Sequence, residues 1–146
     1  MNQTLSRQAQ EIIRLAKEVA GEYRQGYVGT EHLLLGILRE GQGLGARVLM
    51  ESGADEYRTR QEIDRLLAAR LHETWVLGRL PGTPHFRDVL RRAAEEARGM
   101  GNWQVASEHL LLALLAESGS VGCQALQALG VTSHTIRKRL VRRSPA

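Results

Sequence analysis

Cysteine occurs once in these 146 residues, at Cys123, so neither an intramolecular disulfide nor a cysteine zinc site can be built. Aromatics amount to only 4% and there are three prolines, which leaves little to favour strands and little to interrupt helices. No apolar run approaches the roughly 20 residues a membrane-spanning helix needs. The opening "MNQTLSRQAQEIIRLAKEVA" is amphipathic, carries acidic residues and has no signal-peptide apolar core. There is no G-x-x-x-x-G-K-[ST] phosphate loop, no G-x-S-x-G elbow and no paired Cys/His set. Glycines 41, 43 and 45 follow a helical pattern, which fails the strand context of a dinucleotide fingerprint. These absences point to a protein that is not an enzyme and uses no cofactor or metal. A reducing compartment fits a lone thiol, with the cytoplasm as the expected location.

What is present favours helix. Hydrophobic residues at 42% and charged residues at 25% describe a globular chain, and Leu, Ala, Arg and Glu dominate it. The net charge is +4 and the pI is near 9.8, with much of the excess in the terminal "IRKRLVRRSPA". A basic helix end that complements the helix dipole accounts for that run. Nucleic-acid binding through Arg137, Lys138, Arg139, Arg142 and Arg143 is the competing reading. It lacks the interleaved aromatics that would support it, so nucleic acid is not the expected partner.

The chain repeats itself. "VGTEHLLLGIL" from Val28 returns as "VASEHLLLALL" from Val105, an offset of 77 residues. Under that offset Glu31 meets Glu108, His32 meets His109, and Leu33, Leu34 and Leu35 meet Leu110, Leu111 and Leu112. Glu40 meets Glu117, Gly45 meets Gly122, Leu49 meets Leu126 and Gly53 meets Gly130. In the first helix Ala9, Ile12, Ile13, Ala16 and Ala20 share one face, and Phe86, Val89, Leu90, Ala93 and Ala97 repeat it. Ser6 marks the start of one, and Thr83 with Pro84 the start of the other. Thr30 and Ser107 are expected to cap the Glu-His-Leu-Leu-Leu helices, and the glycines of "EGQGLG" and "ESGSVG" to end them. Third helices follow from Leu44 to Glu51 and from Val121 to Ala128, closed by Gly53 and Gly130. Fourth helices begin near Asp55 and Thr132.

The expected fold is all-α, with eight helices in two pseudo-twofold-related four-helix repeats and no strand. It forms one domain over residues 1–146, with repeat one at about 4–72, a linker at about 73–82 and repeat two at about 83–146. A half of about 70 residues is small for a core of its own, so the halves must pack together.

Among the repeated polar residues, Glu31 and Glu108 are not required by core packing. A carboxylate in the first helical turn is favourable by roughly 0.3–1 kcal/mol against the dipole, and a ligand-binding role is the alternative. The adjacent histidines do not form a zinc pair, because helical ligands need i, i+4 spacing. Cys123 aligns with Ala46, a small-residue slot suited to a buried thiol.

The pattern G-T-E-H-L-L-L-G-I-L-R-E-G-x-G…A-R-V-L, repeated after a T-P-x-x-x-x-V-L helix, resembles the Clp repeat domain. This is the N-terminal domain of Clp-family AAA+ chaperone ATPases, nearest to the ClpC branch, and the resemblance spans essentially the whole chain. It implies eight helices in two repeats, and a role in receiving protein substrates or adaptors of Clp ATPases. In ClpC relatives the signature glutamates take part in binding phosphorylated arginine, and they match Glu31 and Glu108 here. Helix starts at Ser6 and Thr83 could then offer N–H groups to the phosphate. The chain ends at Ala146 without an ATPase module. With its native-looking Met1 and no tag, a stand-alone repeat protein is expected in preference to an excised piece, and a regulator that competes with a chaperone's own N-domain is an alternative role. It departs from the family pattern at Leu5, in place of a phenylalanine, and at Ala106-Ser107, in place of Gly-Thr.

Overall fold

The duplication is written into the helix boundaries. In the computed structural model, which describes residues 4–24, 27–69 and 84–143, a short β1 (Thr4–Leu5) leads into α1 (Arg7–Glu22). Then come α2 (Thr30–Glu40), α3 (Leu44–Glu51) and α4 (Glu56–Ala69). The second half holds α5 (Pro84–Gly99), β2 (Gln104–Val105), α6 (Ser107–Ala116), α7 (Val121–Ala128) and α8 (Ser133–Arg143). Each helix of the second half starts 77 residues after its counterpart, at Arg7 and Pro84, Thr30 and Ser107, Leu44 and Val121, Glu56 and Ser133. The expected linker and Thr83 lie outside the described residues.

The signature helices α2 and α6 form the centre. Their apolar residues point in every direction, so neither has a solvent face, and Leu33, Leu34, Leu35, Leu110, Leu111 and Leu112 are all buried. Burying one such side chain contributes roughly 1.5–3 kcal/mol. Helix α1 covers α2 with Ala9, Ile12, Leu15, Ala16, Val19 and Ala20, and α5 covers α6 with Phe86, Val89, Ala93 and Ala97. The third and fourth helices cross over. Helix α3 packs on α6 and α8, while α7 packs on α2 and α4, so each repeat completes the core of the other.

Two expectations about helix ends need correction. Thr30 and Ser107 are not N-caps. Gly29 and Ala106 hold the extended cap conformation, and the hydroxyls one residue later turn to the opposite repeat. Ser107 Oγ accepts from the Gly45 N–H, and Thr30 Oγ1 accepts from the Gly122 N–H, both at 2.9 Å. Each satisfies an open N–H in the first turn of α3 or α7. Glycine does end α2, where Gly41 takes the left-handed conformation at φ 72°. Helix α6 instead stops at Glu117 without one, its cap residue at φ −90°. Gly53 and Gly130, both left-handed, close the third helices as expected.

The expectation of no strand also fails in a small way. β1 and β2 pair in parallel, Thr4 beside Gln104 and Leu5 beside Val105. Two-residue pairings have no sequence period, so alternation cannot reveal them. This bridge leaves the all-α class intact but ties the start of α1 to the start of α6. The Ser6 N–H donates to the Val105 carbonyl at 3.0 Å.

The cross-repeat contacts leave no space at Gly45 and Gly122. A Cβ at either would stand 2.9 Å from the carbonyl oxygen of Ser107 or Thr30. We therefore expect Gly45→Ala and Gly122→Ala each to destabilise the fold by about 1–3 kcal/mol in chemical denaturation, through forced separation of backbones. Gly21→Ala, in a helix with open space around it, should instead raise stability by up to about 1 kcal/mol. Melting points of Gly45→Ala and Gly122→Ala equal to that of the parent would overturn this account.

Candidate functional site

The repeated histidines are helix caps. His32 Nδ1 accepts from the Gly29 N–H at 2.8 Å, and His109 Nδ1 accepts from the Ala106 N–H at 2.9 Å. Each occupies the third helical position, where a capping-box glutamine or glutamate would reach back in the same way. Accepting at Nδ1 requires a neutral ring with its hydrogen on Nε2. Burial pushes His32 down to about 4 and lowers His109 as well, against the pull of Glu108 and Glu96. His32 Nε2 is buried among the described residues without a hydrogen-bond partner, with the rings of Tyr23 and Tyr27 tilted beside it. His109 Nε2 lies 3.0 Å from the Asn102 amide.

The two signature glutamates occupy different environments. Glu31 is 3% exposed, and its Oε2 accepts from the Tyr27 hydroxyl at 3.0 Å. Its carboxylate lies over Gly29, where any Cβ would collide with Oε1. In the second repeat the residue at that place is Ala106, which has a Cβ, and Gln104 replaces Tyr27. Glu108 is accordingly half-buried and makes no hydrogen bond or ion pair among the described residues. One carboxylate is held inside the fold. The other faces out.

Glu108 lines a pocket of about 550 Å³ together with Thr4, Ser6, Asn102, Trp103, Gln104, Ala106 and His109. Ser6 caps α1 as expected, its Oγ accepting from the Ala9 N–H at 3.0 Å. The first turn of α1 holds no acidic residue of its own, so the carboxylate beside its start among the pocket's described lining comes from the other repeat. The structure thus brings Ser6 and Glu108, from opposite repeats, to one pocket. Thr83, the counterpart of Ser6, lies outside the described residues. Trp103 is 63% exposed at the same pocket and was not singled out by periodicity. The signal was in the duplication itself, since position 103 is Trp where position 26 is Gly.

Other candidates are absorbed by the fold. Cys123 is buried, its thiol donates to the Leu115 carbonyl at 3.3 Å, and burial raises its pKa. Arg137 pairs with Glu96 at 2.8 Å and Arg139 with Glu51 at 3.7 Å, so two of the terminal cations face internal carboxylates. Such exposed pairs contribute little to stability, but they interrupt a free basic stripe. Among the described residues no three His, Cys, Asp or Glu side chains converge as a metal would require.

Comparison with known proteins gives one family. The sequence model of the Clp repeat (R) N-terminal domain matches residues 4–75 and 82–144. The chain is 35% identical over 142 residues to the chloroplastic chaperone protein ClpC1 of Oryza sativa subsp. japonica, covering 97% of this chain and 15% of that protein. It is 36% identical to a probable ATP-dependent Clp protease ATP-binding subunit of Chlamydia pneumoniae, again over 97% of this chain and 17% of that protein. It therefore spans about a sixth of the length of such relatives. Among solved structures, the N-terminal domain of the chaperone ClpD from Arabidopsis thaliana superposes with a TM-score of 0.72 at 19% identity, covering 94% of each chain. That likeness shows the fold alone.

The neutral histidine caps carry a pH signature. The folded-state pKa of His32 lies near 4, below the unfolded value near 6.5, so its contribution is complete above about pH 6.5 and is lost as pH falls towards 4. The interval corresponds to a loss on the order of 3 kcal/mol. His32→Gln keeps an uncharged acceptor at the cap position. We expect its stability to fall less steeply than that of the parent between pH 6.5 and 4 in denaturant melts. Parallel curves over that interval would show that His32 does not control acid stability.

Proposed function

Because the chain belongs to the Clp repeat N-terminal domain family, we propose that it is a non-enzymatic binding domain that captures protein substrates or adaptors of a Clp chaperone–protease system. We further propose that it does so by taking an arginine side chain, phosphorylated on its guanidinium group, into the pocket of Glu108 and Ser6. The observation that supports this reading is one pocket bordered by the Glu108 carboxylate, which makes no hydrogen bond or ion pair among the described residues, and by the N-cap of a helix whose first turn holds no acidic residue. Phosphoarginine joins a cation and an anion in one group. The Glu108 carboxylate accepts from the guanidinium N–H groups, and the open N–H groups at the start of α1 donate to the phosphate. A charge-assisted pair of the first kind contributes about 1.5–3 kcal/mol.

The duplication suggests a second site that would use Glu31 together with Thr83, the counterpart of Ser6. There the carboxylate must first give up the Tyr27 hydroxyl and leave a buried position, so this site should be the weaker one. The basic run of α8 plays no part in this reading.

Titration calorimetry with free phosphoarginine tests it. Glu108→Ala should lower affinity by about ten- to a hundredfold, following the lost charge-assisted pair, while the melting point stays near that of the parent. Glu31→Ala should act in the reverse order, with a lower melting point from the lost Tyr27–Glu31 hydrogen bond and a smaller effect on the stronger site. Unchanged affinity in Glu108→Ala would overturn the assignment.

A further inference from the structure

Trp103 has no structural task that accounts for it. The indole is 63% exposed, so it adds little to the core, yet its backbone is fixed. The Thr4 N–H donates to the Trp103 carbonyl at 3.3 Å, and the adjacent Gln104 pairs with Thr4 in the β1–β2 bridge. An exposed tryptophan on an anchored segment is therefore held at the pocket that Glu108 lines. It is one of two tryptophans in a chain with few aromatics, and the duplication has glycine in its place at Gly26.

Among the described residues the lining of that pocket carries one charge. His109 is kept neutral by its cap bond, and Thr4, Ser6, Asn102, Gln104 and Ala106 are uncharged, leaving the Glu108 carboxylate. A carboxylate and an aromatic face in one pocket suit a planar cation better than a spherical one. The guanidinium group is flat, weakly hydrated and able to stack on an indole while its edge meets a carboxylate, whereas an ammonium is compact and strongly hydrated.

We propose that Trp103 is the specificity-determining residue of this pocket, a stacking face for the client's guanidinium that favours arginine-type over lysine-type side chains. The proposal rests on the pocket assignment above and adds to it a residue that the first repeat lacks. It also gives the second-repeat site an advantage independent of Glu108.

The test uses the full chain, free phosphoarginine as the probe and phospholysine as the competitor chemistry. Trp103→Ala and Trp103→Leu should both weaken phosphoarginine binding, by about three- to tenfold, because leucine restores apolar area without a π face. Trp103→Tyr should stay within about threefold of the parent. Discrimination against phospholysine should shrink in the alanine variant. All three variants alter an exposed side chain, so their melting points should match that of the parent, which separates binding from folding. In a Trp75→Phe background the remaining indole emission should change saturably with the calorimetric affinity. If Glu108→Ala weakens binding as expected while Trp103→Ala and Trp103→Leu bind as the parent does, the stacking face is wrong and the pocket assignment stands. If the parent binds no phosphoarginine, both fall together.

Discussion

Two hydroxyl groups hold the duplicated structure in register. Thr30 on α2 receives the N–H of Gly122 on α7, and Ser107 on α6 receives the N–H of Gly45 on α3. Each bond crosses from one repeat to the other and satisfies a first-turn N–H that its own repeat leaves open. Bonds this short bring helix backbones within van der Waals distance, which only glycine at 45 and 122 allows. Once those two contacts exist, α3 lies on the second repeat and α7 on the first, and the central leucines are enclosed from both sides. A half-chain cut at the middle would lose the partners for its helix starts as well as half the cover of its core. That is the physical reason one repeat of this length does not suffice.

The same contacts prepare the pocket. Ser107 sits at the first turn of α6, where its N–H donates to Gln8 Oε1 of α1 at 3.0 Å while its hydroxyl holds α3. The β1–β2 bridge adds a second tie between the start of α1 and the start of α6. The N-terminus of α1 and the carboxylate of Glu108 are therefore positioned by core elements, not by a loop, so little order would have to be created if a ligand bound there. The expected cost of that rigidity is limited adaptability, which suits recognition of one modified side chain more than of an extended surface.

The long, periodic elements were legible in the sequence, because repeats with the same 3.6-residue faces constrain each other, and the starts of α1, α3 and α7 with them. Thr30 and Ser107 were misread as caps because local capping chemistry cannot know that a glycine N–H from 92 or 62 residues away will arrive. The same limit hid the two-residue strands, whose pairing partners are about a hundred residues apart. Glu31 and Glu108 were legible as a pair and illegible as individuals. What separates them is a Cβ on residue 106, absent on residue 29, and a phenolic hydroxyl at 27 that Gln104 does not supply.

Those departures suggest how a duplicated fold comes to be locally asymmetric. Positions that face the shared core must obey the twofold relation, since a change in one half disturbs a contact made by the other. Leu33 with Leu110 and Gly45 with Gly122 stay matched for that reason. Trp103 and Gln104 at the mouth of the pocket are tied to Thr4 of the first repeat through their backbones while their side chains are exposed, so side-chain identity there is free to diverge. Tyr27 against Gln104, Gly29 against Ala106 and Gly26 against Trp103 all fall within four residues of the signature helix, and all differ. In the first repeat Tyr27 and Gly29 turn the carboxylate inward, and in the second repeat Ala106 and Gln104 leave it outward beside an exposed indole. Matched positions in this chain thus report packing, and mismatched positions beside the repeated Glu-His pair mark where packing leaves side-chain identity free.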